Sequence, residues 1–504
     1  MRPPSLLLAA LLLGTALSST AAGNPSCRYD RVARLPLAYT GPSLQITTGG
    51  SINGKPATLL VDTGADEMLL TDNGAARFGL QLRNTNTEAR GVGGKSWIYR
   101  ARVEQFALGP ASTGKSYMKV LDNFGRTPSF DGIAGAPFLL QADLEISLAA
   151  KELNFFRPTG CDDKFLGYWD PAAIVIPFTP GKTARSNPHF AVRINGVDVD
   201  AMIDSGADNT SVSLQTAKRL GINLEGARRL GDVSGVGSQR VAHWDTTLGK
   251  IEIGAESVEH AQVSVVDHNL PVELILGADF LRAHRVLFAM SQNKIYLSYV
   301  GGDPFGQRRK LEAWMLAEAE EGNADAQFAL ANAYLAGRRV PRSEAQARVW
   351  LEKAAANGSP HANIRSGRIA MQRGDMAEAT QRLRAGLDKL PGNREAALWL
   401  RLARLYSGQA ELARTELTAA FAQDDGAWPH PLAKFYLGQA SAEDVLKLAA
   451  REQRGARPAT CFALAAMADW HAARGEQAQM QAMRAQGRAE CAPGRPEASA
   501  DAPD

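Results

Sequence analysis

The sequence predicts a multidomain chain: an all-β unit of two similar lobes, then an all-α array of helical hairpins. Three observations predict it. An apolar strand ending in an acid occurs twice, as Leu59-Leu60-Val61-Asp62-Thr63-Gly64-Ala65-Asp66 and as Met202-Ile203-Asp204-Ser205-Gly206-Ala207-Asp208. Other landmarks repeat at nearly the same offset. Composition then changes after Gly301-Gly302-Asp303-Pro304-Phe305-Gly306. Before this stretch, short apolar runs are punctuated by Gly, Pro and Asn. Beyond it, Ala, Leu, Arg and Glu dominate with helical periodicity.

The β reading rests on runs at 43–47, 57–61, 103–108, 145–148 and 152–156 in a first lobe spanning 28–160. A second lobe, 170–300, has runs at 174–178, 190–194, 200–203, 248–253, 263–266 and 294–299. Ile52-Asn53-Gly54 answers Ile194-Asn195-Gly196, and 194 − 52 = 142. The acids follow at 204 − 62 = 142. Leu35-Pro36-Leu37 answers Ile176-Pro177-Phe178 at 177 − 36 = 141, and Gly91-Val92-Gly93 answers Gly235-Val236-Gly237 at 235 − 91 = 144. Ile133-Ala134-Gly135-Ala136 answers Ile275-Leu276-Gly277-Ala278 at 277 − 135 = 142. A duplicated block of this kind is expected to fold as one pseudo-symmetric unit.

Residues 308–491 read as a helical-repeat domain, with units at 326–358, 362–386, 396–422 and 462–489 separated by Gly-containing turns. Residues 492–504 read as a disordered tail. At the other end, Arg2, the apolar run 6–17 and the small residues 18–23 compose a signal peptide, cleaved after Ala22 or Gly23. The apolar run is short of the ~20 residues that span a bilayer. Export to the periplasm or the medium is therefore expected, with no stable membrane span after cleavage. Four cysteines remain: Cys27, Cys161, Cys461 and Cys491. An even number in an exported chain invites two disulfides. Of the three pairings, order along the domains favours Cys27–Cys161 and Cys461–Cys491.

With 504 residues, a net charge of +3 and 22% charged residues, the chain shows no electrostatic footprint for nucleic acid. His243, His260, His268 and His284 lack metal-ligand spacing, and neither a metal nor a cofactor is expected. Trp97 and Trp244, just past the two glycine-rich tips, are assigned to core packing ahead of substrate pockets.

The chemistry follows from the acids. A carboxylate at the end of a buried strand is costly unless it is partnered. Two of them on homologous loops meet at the pseudo-two-fold axis and share one proton. The ionised member can take a proton from water while the protonated one polarises a carbonyl. Thr63 and Ser205 can brace one loop against the other. Gly64 and Gly206 allow close approach.

Asp-Thr-Gly-Ala-Asp and Asp-Ser-Gly-Ala-Asp resemble the active-site motif of retroviral-type (retropepsin-like) aspartic proteases. Arg90-Gly91-Val92-Gly93-Gly94 and Ser234-Gly235-Val236-Gly237-Ser238 are similar to the family's flap tip. Ile133-Ala134-Gly135 and Leu274-Ile275-Leu276-Gly277 resemble the apolar-apolar-glycine element behind the catalytic loop. The resemblance covers roughly 30–300. It implies a bilobal acid-protease fold, an endopeptidase active as a monomer, and catalytic Asp62 and Asp204. It further implies dyad support from Thr63, Gly64, Ser205 and Gly206. Asp66, Asp208, Gly91, Val92, Gly93, Gly235, Val236 and Gly237 would contact a peptide or protein substrate. The retroviral enzymes place Arg after the last glycine; here Ala136 and Ala278 stand there. The unit at 326–358 resembles a Sel1-type repeat, a relative of the tetratricopeptide repeat, which implies a protein partner. A non-catalytic peptide-binding adaptor on the same fold is the alternative.

Overall fold

The structure, a computed structural model, describes residues 27–122, 127–180, 186–225, 227–233, 236–237, 241–268, 272–306, 310–422, 426, 428–452 and 456–491. The signal segment 1–23 and the tail 492–504 lie outside the described residues. Both disulfides take the expected pairing, Cys27–Cys161 and Cys461–Cys491. No described helix is long and apolar enough to cross a membrane.

Each lobe is built around the strand that ends in its acid. Lys55–Asp62 forms a hairpin with Gln45–Ile52 through Asn53 and Gly54, both at positive φ (51° and 75°). Val197–Ile203 does the same with Phe190–Ile194 through Asn195 and Gly196 (49° and 83°). Asn-Gly is the dipeptide that a two-residue turn of this hand prefers. Each acid-ended strand then takes a parallel neighbour. Gly132–Gly135 sets Gly135 beside Asp62, and Leu274–Leu276 sets Leu276 beside Ile203. Strands covered on both faces read as unbroken apolar runs, as Leu59-Leu60-Val61 and Leu274-Ile275-Leu276 do.

The lobes join through six consecutive strands of one sheet, in the order Ile174–Pro177, Lys294–Tyr299, His284–Ala289, Asp143–Ser147, Glu152–Thr159 and Arg28–Thr40. At its centre Leu144 faces Phe288, Glu145 faces Leu287 and Ile146 faces Val286. Because 286 − 144 = 142 and 288 − 146 = 142, this pairing maps onto itself under the repeat. The pseudo-two-fold axis passes between Glu145 and Leu287. Glu145, fully buried there, is held by Arg285 Nη2 (3.0 and 3.1 Å), Asn154 Nδ2 (2.9 Å) and the Tyr168 hydroxyl (2.8 Å). A buried carboxylate survives only with such a full set of donors.

Two strand expectations need correction. The run 103–108 is not one strand: Gly94–Val103 ends before Phe106–Leu108 begins. Leu82–Gly91 was absent from the apolar runs because its side chains, Arg, Asn, Thr and Glu among them, are mostly exposed. Cross-strand pairing to Gly94–Val103 makes it a strand.

Beyond residue 310 the chain is helical. Ala324–Ala336 pairs with Glu344–Ala356, Pro360–Arg373 with Met376–Lys389, Arg394–Tyr406 with Ala410–Ala420, and Ala456–Ala473 with Gln477–Cys491. Side chains of Asn323, Ser343, Ser359, Asp375 and Asn393 cap the N-termini, satisfying amides that the helix cannot. The array is seated on the first lobe. Asp325 accepts from Gly41 N (2.7 Å) and from Ser359 Oγ (2.8 Å). Asn323 Nδ2 donates to Tyr39 O at 3.1 Å, and Gly392 N donates to Asn73 Oδ1 at 3.1 Å. Arg282 lies 4.0 Å over Trp314, whose ring meets Tyr39 at 4.9 Å. Phe305, in the stretch where the composition changes, is 1% exposed, and Met315, Ala319 and Leu330 share the lobes' apolar core.

Asp325→Ala is expected to lower stability by about 2 kcal/mol, because it strands Gly41 N. Calorimetry of the full chain checks this; an unchanged melting profile contradicts it.

Candidate active site

The two acid loops are locked by a reciprocal exchange. Thr63 N donates to Ser205 Oγ (3.1 Å) and Ser205 N donates to Thr63 Oγ1 (3.0 Å). Thr63 Oγ1 donates to Ile203 O and Ser205 Oγ to Val61 O, both at 2.8 Å. Thr63 is fully buried and Ser205 nearly so. Each strand end is backed by its parallel neighbour: Ala136 N donates to Ala65 O and Ala278 N to Ala207 O, each at 2.8 Å.

This lock brings Asp62 and Asp204 together. Their carboxyls are hydrogen-bonded to each other. Gly64 N (3.2 Å) and Gly206 N (2.8 Å) both donate to Asp204 Oδ1. A Cβ on Gly64 would fall 2.5 Å from Asp204 Oδ2, and one on Gly206 would collide with the Asp62 carboxyl. Both glycines are therefore required by space. Burial pushes the Asp62 carboxyl well above the usual range, and the Asp204 charge pushes it the same way. Asp204 is raised too, again first by burial, but the Gly206 amide and the bond to Asp62 oppose the rise. Like charges so placed resist ionising together, so loss of the first proton from the pair leaves the second held more tightly.

The first glycine-rich tip closes the hairpin of Leu82–Gly91 and Gly94–Val103, with Val92 and Gly93 at its turn. The second lobe carries a matching hairpin, Arg228–Val233 with Val241–Thr247. The tips meet: a Cβ on Gly91 would lie 2.6 Å from Val236 Cβ, and one on Gly237 would collide with Gly93 O. Gly235 lies outside the described residues. Asp66 is exposed and Asp208 half-buried, each just past its acid loop. Trp244 packs against the core, but Trp97 does not. It is 49% exposed on a strand of the first hairpin.

Residues 190–283 match the family model described as "gag-polyprotein putative aspartyl protease", and residues 48–138 match one described as "Aspartyl protease". The β half of the chain is a retroviral-type aspartic protease domain. Its relatives include Protein DDI1 homolog 1 of Mus musculus, 29% identical over 114 residues, which are 22% of this chain and 26% of that protein. DNA damage-inducible protein 1 of Kluyveromyces lactis is 31% identical over 131 residues, 25% of this chain and 30% of that protein. The chain thus spans less than a third of the length of these relatives. Among solved structures, the aspartic proteinase from Irpex lacteus is 13% identical with a TM-score of 0.34, covering 55% of this chain and 98% of that one. Basic 7S globulin from soybean is 12% identical with a TM-score of 0.31, covering 53% and 96%.

The aspartic protease domain also holds a duplicated brace that sequence reasoning missed. Asp131 Oδ2 accepts from Thr58 N (2.8 Å) and Arg77 Nη1 (2.5 Å). Glu273 Oε2 accepts from Asp200 N (2.9 Å), and its Oε1 takes Arg219 Nη2 (2.5 Å). All three pairs obey the repeat: 219 − 77, 273 − 131 and 200 − 58 each equal 142. Each acid pins the acid-ended strand four residues before Asp62 or Asp204. The signal was an Arg and an acid recurring at the repeat offset, hidden by the Asp-to-Glu change. Asn187 was missed as well. Buried, it donates from Nδ2 to Ile203 O at 2.8 Å.

Ser205→Ala is expected to cost more stability than Thr63→Ala. The first strands Thr63 N and Val61 O. The second strands Ser205 N, but Asn187 still serves Ile203 O. At about 1–3 kcal/mol per stranded group, denaturant midpoints resolve the order; equal losses contradict it. A second expectation concerns pH. The raised Asp62 holds its proton in the fold at pH values where an unfolded aspartate, near 3.9, has lost it. The native state is therefore penalised as pH rises through the folded value. Asp62→Asn removes that penalty. Its melting temperature should exceed wild type at pH 7.5, with the gap closing below about pH 4; a gap independent of pH contradicts this.

Proposed function

We propose that this protein is an exported aspartic endopeptidase. The observation that carries the reading is the pair of Asp62 and Asp204, two half-buried carboxyls that face each other and are both raised above the ordinary range. Peptide hydrolysis by such a pair needs no covalent intermediate. A water between the carboxyls gives its proton to the ionised member as its oxygen attacks the scissile carbonyl carbon. The protonated member donates to the carbonyl oxygen as that oxygen gains charge. As the tetrahedral adduct collapses, the protonated carboxyl gives its proton to the departing amine and the ionised one takes a proton from a hydroxyl of the adduct as the new carbonyl forms. The pair ends with one proton, as it began.

The substrate lies extended, hydrogen-bonded like an added strand, between the loops and the paired hairpin tips. Asp66 and Asp208, which follow the two acid loops, are assigned to contact the main chain of the peptide. The helical array serves as a protein-binding arm. Its likeness to Sel1-type repeats supports that role.

Wild type, Asp62→Asn and Asp204→Asn are compared on casein and a peptide library across a pH series. Each substitution should remove activity by at least about 10²–10⁴-fold. The wild-type optimum should be mildly acidic, since the raised pair holds its proton well above the ordinary carboxylate range. Equal cleavage by all three proteins, or no cleavage at any pH, overturns the proposal in favour of a peptide-binding scaffold. A maximum near pH 2 overturns the pH assignment.

A further inference from the structure

The array carries two arginines close together on one helix. Arg365 and Arg368 lie three residues apart on Pro360–Arg373 and share a face. Arg365 is half-buried. It hydrogen-bonds through Nη1 to the neutral Asn332 Oδ1 and lies 5.6 Å over the Phe328 ring. Burial and the neighbouring Arg368 charge both work against its guanidinium. Arg368 is exposed and lies 4.9 Å over Trp399 of the next pair. Among the described residues neither makes an ion pair. Other arginines of the array do: Arg404 with Glu416 (2.5 Å), Arg373 with Glu378 (2.8 Å) and Arg384 with Asp388 (2.9 Å). Placing a guanidinium partly out of water is costly without an anion, and chains usually supply one.

The surroundings say what kind of anion fits. Exposed Ile369 stands next to the pair on the same helix, and Trp399 and Tyr406 belong to the next helix in the row, Arg394–Tyr406. Apolar contacts therefore flank the charge. Asp469, on Ala456–Ala473, interacts with Arg368 and ion-pairs with Arg484 at 4.0 Å. An acid there bounds the positive patch and opposes a continuous phosphate backbone. The helix is also anchored to the protease domain. His361, one turn before Arg365, bonds Ser129 Oγ at 2.7 Å and stacks on Phe328. Ser129 lies two residues before Asp131, which pins the Asp62 strand.

We propose that this face of the array is a docking site for an acidic segment of a protein partner, with its carboxylates on Arg365 and Arg368 and its apolar side chains against Trp399 and Ile369. Bidentate carboxylate pairing suits guanidinium groups that already rest on aromatic faces. The site holds the partner about one helical turn from the first lobe. It is independent of whether the dyad hydrolyses what is held.

The test uses the full chain carrying Asp62→Asn, so that binding is read without cleavage. Fluorescence anisotropy is followed with a labelled peptide alternating Glu and Leu, and with its Gln counterpart. The Glu peptide should bind saturably, more weakly as salt rises, and at least about tenfold better than the Gln peptide. Arg368→Gln, at an exposed position, should weaken it by about tenfold. Arg373→Gln, whose arginine already pairs with Glu378, should leave it unchanged. The proposal fails if the Glu peptide does not bind, if the Gln peptide binds equally, or if Arg368→Gln binds like its parent. It fails also if a single-stranded oligonucleotide displaces the peptide from the Arg365–Arg368 face at lower concentration.

Discussion

The exchange between Thr63 and Ser205 is the constraint on which the site depends. Each hydroxyl accepts the amide of the opposite loop and donates to a carbonyl of the opposite strand. Four hydrogen bonds between buried hydroxyls and main-chain groups fix the separation of the two loops, and Gly64 N adds a fifth link to Asp204 Oδ1. Hydroxyls are the side chains suited to this, since each can donate and accept at one atom. With the loops locked, the acids have nowhere to go but toward each other. The fold therefore sustains a repulsion that burial makes worse, and one proton held between the carboxyls relieves it.

The rest of the β unit resists that strain from behind. Asp131 with Arg77, and Glu273 with Arg219, pin the two acid-ended strands by the same main-chain amide in each lobe. The parallel strands behind the loops return an amide from Ala136 and from Ala278. Retroviral enzymes use an arginine at that point in the sequence. Here the arginine is supplied from a short helix instead, one in each lobe, so the loss of the familiar residue does not mean the loss of a cationic brace. Across the lobe junction, Glu145 lies on the pseudo-two-fold axis with Arg285 beside it. The duplication is an approximate symmetry: residue 287, its counterpart, is Leu.

The helical array is part of this architecture rather than a tethered appendage. Phe305 is buried, and Asp325, Asn323 and His361 bond the first lobe directly. Those bonds reach the loops at 39–41 and 127–131, and the second of these carries Asp131. A partner held on the array would thus be held on a surface continuous with the support of Asp62.

Sequence by itself determined a great deal here because duplication leaves a record that burial does not erase. The offset of 142 named both lobes, both acids, both hydroxyls and both glycines, and cysteine order along the domains matched the disulfides that form. Other features were decided by tertiary structure, for identifiable reasons. Leu82–Gly91 is polar, and only pairing with its neighbour makes it a strand. Trp97 looked like core because of its size, yet half of its surface is exposed on that hairpin. The braces by Asp131 and Glu273 join groups 73 residues apart, and no local pattern signals them. That Arg365 and Arg368 make no ion pair among the described residues is likewise invisible in a chain with a nearly even balance of charge. Whether an arginine has a carboxylate beside it depends on which helices touch, and only packing sets that.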